Sequence, residues 1–242
     1  MKLNHTFQSP NFGPRPEGSD INMLLLHYTG MQTGKEALER LCDSAAQVSA
    51  HYLVEENGEI FQLVPEELRA WHAGLAYWGG ETDINSCSIG IEIVNPGHEW
   101  GYRAFPAAQM KAVTALCKQI LEHHTIPASR VLAHSDVAPE RKEDPGELFD
   151  WAFLAKQGIG IFPDKTTQNN SISENNSISE DDFVLKLGEY GYRVDMDSST
   201  GSGTKAAIIA FQRHFRPSKL NGQVDKECCQ ILADLYSQLD DD

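Results

Sequence analysis

Apolar and polar positions recur along this chain with two periods, and each period predicts a kind of element. MLLLH at 23–27 is a continuous apolar run closed by a polar residue, which predicts a short buried strand with His27 at its exit. VSAHYLV at 48–54 and EIFQLV at 59–64 flank Asn57-Gly58, the pair most favoured in two-residue hairpin loops, and predict two antiparallel strands. In SIGIEIV at 88–94, Ile89, Ile91 and Ile93 point to one side of a strand, and Gly90, Glu92 and Val94 to the other. RVLAH at 130–134 repeats the apolar run closed by histidine, so His27 and His134 are expected to converge at one end of a sheet.

From Pro106 to His124 the period lengthens. Met110, Val113, Leu116, Cys117, Ile120 and Leu121 share one helical face, with Lys111, Lys118 and Glu122 largely opposite. This alternation predicts an α/β fold, a mixed central β-sheet flanked by helices. Residues 164–182 then lose their aromatics and repeat NNSISE in tandem. So polar a stretch cannot bury enough apolar surface to offset its ordering entropy, and it is expected to be a flexible linker. FVLKLGEYGYRVD, TKAAIIAFQRHF and VDKECCQILADL predict three amphipathic helices beyond it. The expected organisation is a main domain over 1–163, the linker over 164–182 and a small three-helix C-terminal domain over 183–242.

Composition narrows the classes. With 242 residues, 40% of them hydrophobic, the chain can form one medium domain and one small one. No apolar run approaches the roughly 18 residues that would span a bilayer. A net charge of -15 disfavours phosphate backbones and excludes nucleic acid as a partner; it reads as a solvated acidic surface. Five cysteines, two of them adjacent, imply no disulfide framework. The first twenty residues lack the apolar stretch of a secretory leader. The chain is therefore expected to be cytoplasmic as synthesised, with the cell envelope as its working site if a leader was removed or a dedicated exporter is used. A monomer is expected.

Candidate chemistry starts with nine histidines, enough for a chance cluster. His27 and His134 both close apolar strands, and Asp144 follows ten residues after His134, beside a Pro145-Gly146 turn. Two imidazoles and a carboxylate suit zinc with its fourth position open.

LLLHYTG, VSAHYLV, RAWHAG, NSCSIGIEIVN and AHSDVAPERKEDPG resemble, in order, the successive motifs of the type 2 N-acetylmuramoyl-L-alanine amidases, most closely their AmiD-like branch. The resemblance covers about residues 20 to 160 and implies an amidase/peptidoglycan recognition protein-like fold. It implies hydrolysis of the amide between N-acetylmuramic acid, or its anhydro form, and the L-alanine of the stem peptide. Carried over position by position, it makes His27, His134 and Asp144 ligands of Zn2+, Glu92 and Lys142 the catalytic pair, and Trp71 and His72 walls of a substrate cleft. Lys142 and Asp144, two apart, would share one face of an extended segment. Some relatives carry a helping tyrosine where this chain has Ala50, which leaves more of the chemistry to Glu92.

The C-terminal helices resemble the peptidoglycan-binding domain that often accompanies wall hydrolases. Peptidoglycan or muropeptides are thus the expected partners. Plainer readings stand beside these: a solvent-facing Glu92, a solvated Lys142, core packing for Trp71, and a packed or ligand-supporting His51. For the whole chain the alternatives are a non-catalytic peptidoglycan receptor and an effector delivered by a dedicated exporter. The helical segment has its own alternative, an appendage packed on the main domain.

Overall fold

Why the apolar runs become strands is clear from what covers them in the computed structural model, which describes residues 2–163, 178–195 and 201–239. In chain order the elements are β1 (Phe12–Pro14), β2 (Met23–Tyr28), α1 (Gly34–Leu41), β3 (Tyr52–Val54), β4 (Ile60–Gln62), β5 (Leu68–Ala70), α2 (Ile84–Cys87), β6 (Ser88–Ile93), α3 (Gly97–Trp100), α4 (Ala107–His123), β7 (Val131–Ala133), α5 (His134–Val137) and α6 (Trp151–Lys156). The last three are α7 (Phe183–Tyr190), α8 (Ser202–Phe215) and α9 (Lys226–Leu239). Five strands form one mixed sheet in the order β4-β3-β6-β2-β7, and β1 pairs with β5 in a separate ribbon. Only β3 and β4 run antiparallel within the main sheet.

Strands β2, β6 and β7 are parallel and covered on both faces, which is why β2 and β7 read as continuous apolar runs. Leu24, Leu26, Ile89, Ile91 and Ile93 face Val113, Leu116 and Ile120 of α4, together with Leu154 of α6. Leu25 and Leu132 point the other way, into a core shared with Phe183, Leu187, Phe211 and Leu235 of the C-terminal helices. These three helices therefore pack against the sheet's second face. Of the expected linker, residues 164–177 lie outside the described residues.

Two local expectations are corrected. The β3–β4 hairpin closes through a three-residue loop, Glu56-Asn57-Gly58, because Glu55 N–H donates to Glu59 O at 2.8 Å and Gly58 N–H to Glu55 O at 2.9 Å. Gly58 takes the left-handed position at φ +88°, and a Cβ there would lie 2.9 Å from the Ala108 carbonyl of α4. The second correction concerns His134, which opens α5 one residue after β7 ends. Asp136 drives this by accepting the Ala133 N–H at 2.8 Å, a carboxylate reaching back to the start of its own helical turn.

All five cysteines are free, and burial pushes the Cys117 thiol up to about 12, consistent with a packing role. Among the described residues, no helix is long and apolar enough to cross a membrane.

Candidate metal centre

Parallel pairing of β2 with β6 sets His27 directly beside Glu92, and pairing of β2 with β7 sets Leu26 beside Ala133, one residue before His134. The loop after α5 then returns Asp144, whose carbonyl accepts the Ser135 N–H at 3.0 Å. Tyr102 holds that loop by donating its hydroxyl to Pro145 O at 2.8 Å and accepting from Leu148 N–H at 2.9 Å. Gly146, at φ +85°, leaves room for the Tyr102 ring, which a Cβ would strike.

The result is a buried trio. His27 Nδ1 lies 2.9 Å from His134 Nδ1 and 3.1 Å from Asp144 Oδ2, and His134 Nδ1 lies 3.0 Å from the same oxygen. Hydrogen bonds behind the rings decide which nitrogens carry protons. His134 Nε2 sits 3.0 Å from the Ala73 carbonyl, which only accepts, so the neutral ring is protonated at Nε2 and bare at Nδ1. Ser88 spends its hydroxyl proton on Ile84 O at 2.6 Å, so it accepts from His72 Nε2 at 3.3 Å. His72 Nδ1 is then bare and accepts from His27 Nε2 at 3.1 Å, which leaves His27 bare at Nδ1 as well.

Burial favours the neutral form of His27 and His72. It lowers His27 to about 4, with His134 adding to the effect, and pushes His72 well below its ordinary value. With these tautomers two imidazole lone pairs and a carboxylate oxygen face one another within hydrogen-bond distance. A cation among them relieves that opposition, and the N, N, O donor set fits a divalent metal.

A cavity of about 390 Å³ opens onto the trio, lined by His134 and Asp144 together with Glu92, Lys142, Trp71 and His72. Glu92 Oε2 is buried without a hydrogen-bond partner. Burial pushes the Glu92 carboxyl well above its usual range, Asp144 adds to this, and Lys142 pulls the other way.

The chain matches the family model described as N-acetylmuramoyl-L-alanine amidase over residues 17–147. The protein belongs to that amidase family. It is 39% identical over 236 residues to N-acetylmuramoyl-L-alanine amidase AmiD of Escherichia coli, covering 90% of this chain and 84% of that protein. It is 33% identical over 162 residues to the 1,6-anhydro-N-acetylmuramyl-L-alanine amidase AmpD of Haemophilus influenzae, covering 60% of this chain and 86% of that one. The structure of E. coli AmiD in complex with the substrate anhydro-N-acetylmuramic acid-L-Ala-D-gamma-Glu-L-Lys superposes with a TM-score of 0.80 at 38% identity, covering 98% of this chain and 95% of that one. Pseudomonas aeruginosa AmpDh3 in complex with anhydromuramic pentapeptide gives 0.80 at 29% identity, covering 99% and 98%.

Within this amidase fold the seven residues named from the sequence do not stand alike. His27, His134 and Asp144 form the trio, and Glu92, Lys142 and Trp71 line the cavity beside it. His72 reaches the cavity too, but it is buried and both its ring nitrogens are engaged, one by His27 and one by Ser88. Gly90 makes its space: a Cβ there would lie 2.5 Å from the His72 ring. Lys142 follows a turn in which its N–H donates to Ala138 O at 3.0 Å, and both it and Asp144, two residues on, line the cavity.

Sequence reasoning missed Arg141, whose Nη2 donates to the carbonyls of Ala73 at 2.7 Å and Leu75 at 2.8 Å and so steadies the group that receives His134. It also missed Asp136, although an acidic residue three places after a strand end is a recognisable cap signal.

Proposed function

We propose that this chain is a zinc-dependent N-acetylmuramoyl-L-alanine amidase that hydrolyses the amide joining N-acetylmuramic acid, or its anhydro form, to the L-alanine of the stem peptide. The observation that carries the reading is the convergence of two imidazole nitrogens and a carboxylate oxygen beside a cavity lined by Glu92, whose Oε2 is buried without a hydrogen-bond partner. His27 and His134 through Nδ1, and Asp144 through its carboxylate, would hold the zinc. Zinc, when bound, supplies Lewis acidity toward the amide carbonyl and toward water.

The chain's own groups then handle protons and charge. Glu92, with its proton affinity raised by burial, accepts a proton from the attacking water and delivers it to the departing nitrogen. The C–N bond breaks, leaving a carboxylate on the sugar's lactyl group and a free amine on L-alanine. Lys142 offers its ammonium to the negative charge that grows on the amide oxygen. Trp71 provides an apolar wall for sugar or peptide. His72 serves that same wall from behind, with its ring committed to orienting His27.

All these residues come from one chain, which supports a monomer as the working form. The helices over 183–242 are taken as a unit that binds wall polymer, on their resemblance to peptidoglycan-binding domains. Co-sedimentation of the full chain, but not of a chain ending at residue 163, with purified sacculi checks this.

Anhydro-N-acetylmuramyl tripeptide incubated with the protein is expected to yield free tripeptide and anhydro-N-acetylmuramic acid by mass spectrometry. Prior chelation should stop the reaction and zinc restore it. Binding of the muropeptide without cleavage in zinc-replete protein would favour the receptor reading.

A further inference from the structure

Both ligand-bearing loops are gripped from the C-terminal helices. Asp136, fully buried two residues after His134, has each carboxylate oxygen engaged: Oδ2 accepts from Ala133 N–H at 2.8 Å and from His214 Nδ1 at 2.7 Å, and Oδ1 accepts from the Tyr192 hydroxyl at 2.7 Å. Tyr192 and His214 belong to the helical segment, Tyr192 just after α7 and His214 at the end of α8. His214 is itself fixed by stacking on Trp151 of α6, with ring centroids 3.9 Å apart. Its neighbour Arg213 is nearly buried and reaches the second loop, lying 3.3 Å from Glu143 and 3.6 Å from Glu147, which bracket Asp144.

Adjacent residues of one helical turn thus hold the loop of His134 and the loop of Asp144, whereas His27 sits on a central strand and needs no such help. These contacts also cross between the main fold and the helical segment. A unit serving only as a tethered wall anchor has no need of buried hydrogen bonds to the metal loops, and a buried carboxylate with all three donors satisfied is costly to leave half-made.

We propose that the C-terminal helices are part of the metal centre's scaffold, with Tyr192, Arg213 and His214 acting as positioning residues that set His134 and Asp144 at ligand distance. This rests on the reading of His27, His134 and Asp144 as the zinc site. Outer partners of metal ligands are worth on the order of 10- to 100-fold in metal affinity, and a shift of a few tenths of an ångström in two of three ligands reaches the ion directly.

The test uses the full chain and compares wild type, the double variant Tyr192→Phe/Arg213→Met, and Leu235→Ala. Leu235→Ala opens the same helical core without touching either loop's hydrogen bonds. Zinc affinity is measured by competition with a calibrated chelator, and ligand geometry by the visible absorption of the cobalt(II)-loaded protein. The double variant is expected to bind zinc about 10- to 100-fold more weakly and to alter the cobalt spectrum. Leu235→Ala should lower thermal stability while leaving both readouts at wild type. Zinc affinity within twofold of wild type in the double variant, or an equal loss in Leu235→Ala, would overturn the scaffold role. Absence of stoichiometric zinc binding by wild type would instead defeat the metal reading, and this inference with it.

Discussion

His51 and His27 are both fully buried histidines, yet only His27 belongs to the trio proposed to hold zinc. His51 spends its whole ring on the protein, with Nδ1 accepting from Gly90 N–H at 3.0 Å and Nε2 donating to Leu68 O at 3.0 Å. His27 spends Nε2 on His72 and leaves Nδ1 facing two other acceptors. Burial lowers both, His51 to about 3 and His27 to about 4, so neither depth nor proton affinity separates them. What separates them is the leftover lone pair. A buried histidine whose ring nitrogens are both answered is a structural member; one whose second nitrogen faces other acceptors is suited to hold a metal.

The largest effect that sharpens this contrast is expected from His27→Ala, which should abolish stoichiometric zinc binding and reduce muropeptide cleavage to background. Glu92→Gln comes next. It should keep zinc within a few-fold, since Glu92 is outside the ligand trio, while turnover falls roughly 10²- to 10⁴-fold, the usual contribution of a positioned general base. Wild-type turnover in that variant would remove Glu92 from the mechanism.

Gly90→Ala tests the support behind His27. Its Cβ would collide with the His72 ring, so zinc affinity should fall on the order of 10-fold through loss of the His72–His27 bond, with turnover recovering at saturating zinc. An unaltered zinc affinity would mean that His72 does not orient its neighbour. The smallest effect belongs to His51→Gln, which should leave zinc within twofold but lose about 1 to 3 kcal/mol of stability by leaving the Gly90 N–H poorly partnered.

Acid distinguishes the same two rings. Both are lowered on folding from an ordinary value of 6.5, so the stability they contribute is full above that pH and is lost on acidification toward about 4 for His27 and about 3 for His51. In metal-free protein each should cost about 2 kcal/mol at pH 5 relative to pH 7.5, read by denaturant unfolding at the two pH values. Excess zinc should offset the His27 share alone. A zinc-saturated protein with no remaining acid sensitivity would show that His51 does not stay neutral.

Much of this was legible in the residues. The alternation in SIGIEIV puts Glu92 on the face opposite Ile89, Ile91 and Ile93, and parallel pairing carries that side chain to His27. The apolar closures at His27 and His134 likewise announced their meeting, although Asp136 makes His134 the start of a helical turn. His72 was less legible, because RAWHAG gives no hint that Gly90, eighteen residues on, clears a pocket for its ring. The grip of Tyr192, Arg213 and His214 was not legible at all. Those contacts span 56 to 78 residues, and local periodicity carries no information about pairings at that range.

The most direct test of the central claim is a zinc titration of chelator-stripped protein with turnover of anhydro-N-acetylmuramyl tripeptide followed at each addition. Turnover is predicted to start at background, rise linearly and level off at one zinc per chain. Full turnover before any zinc is added would contradict the account.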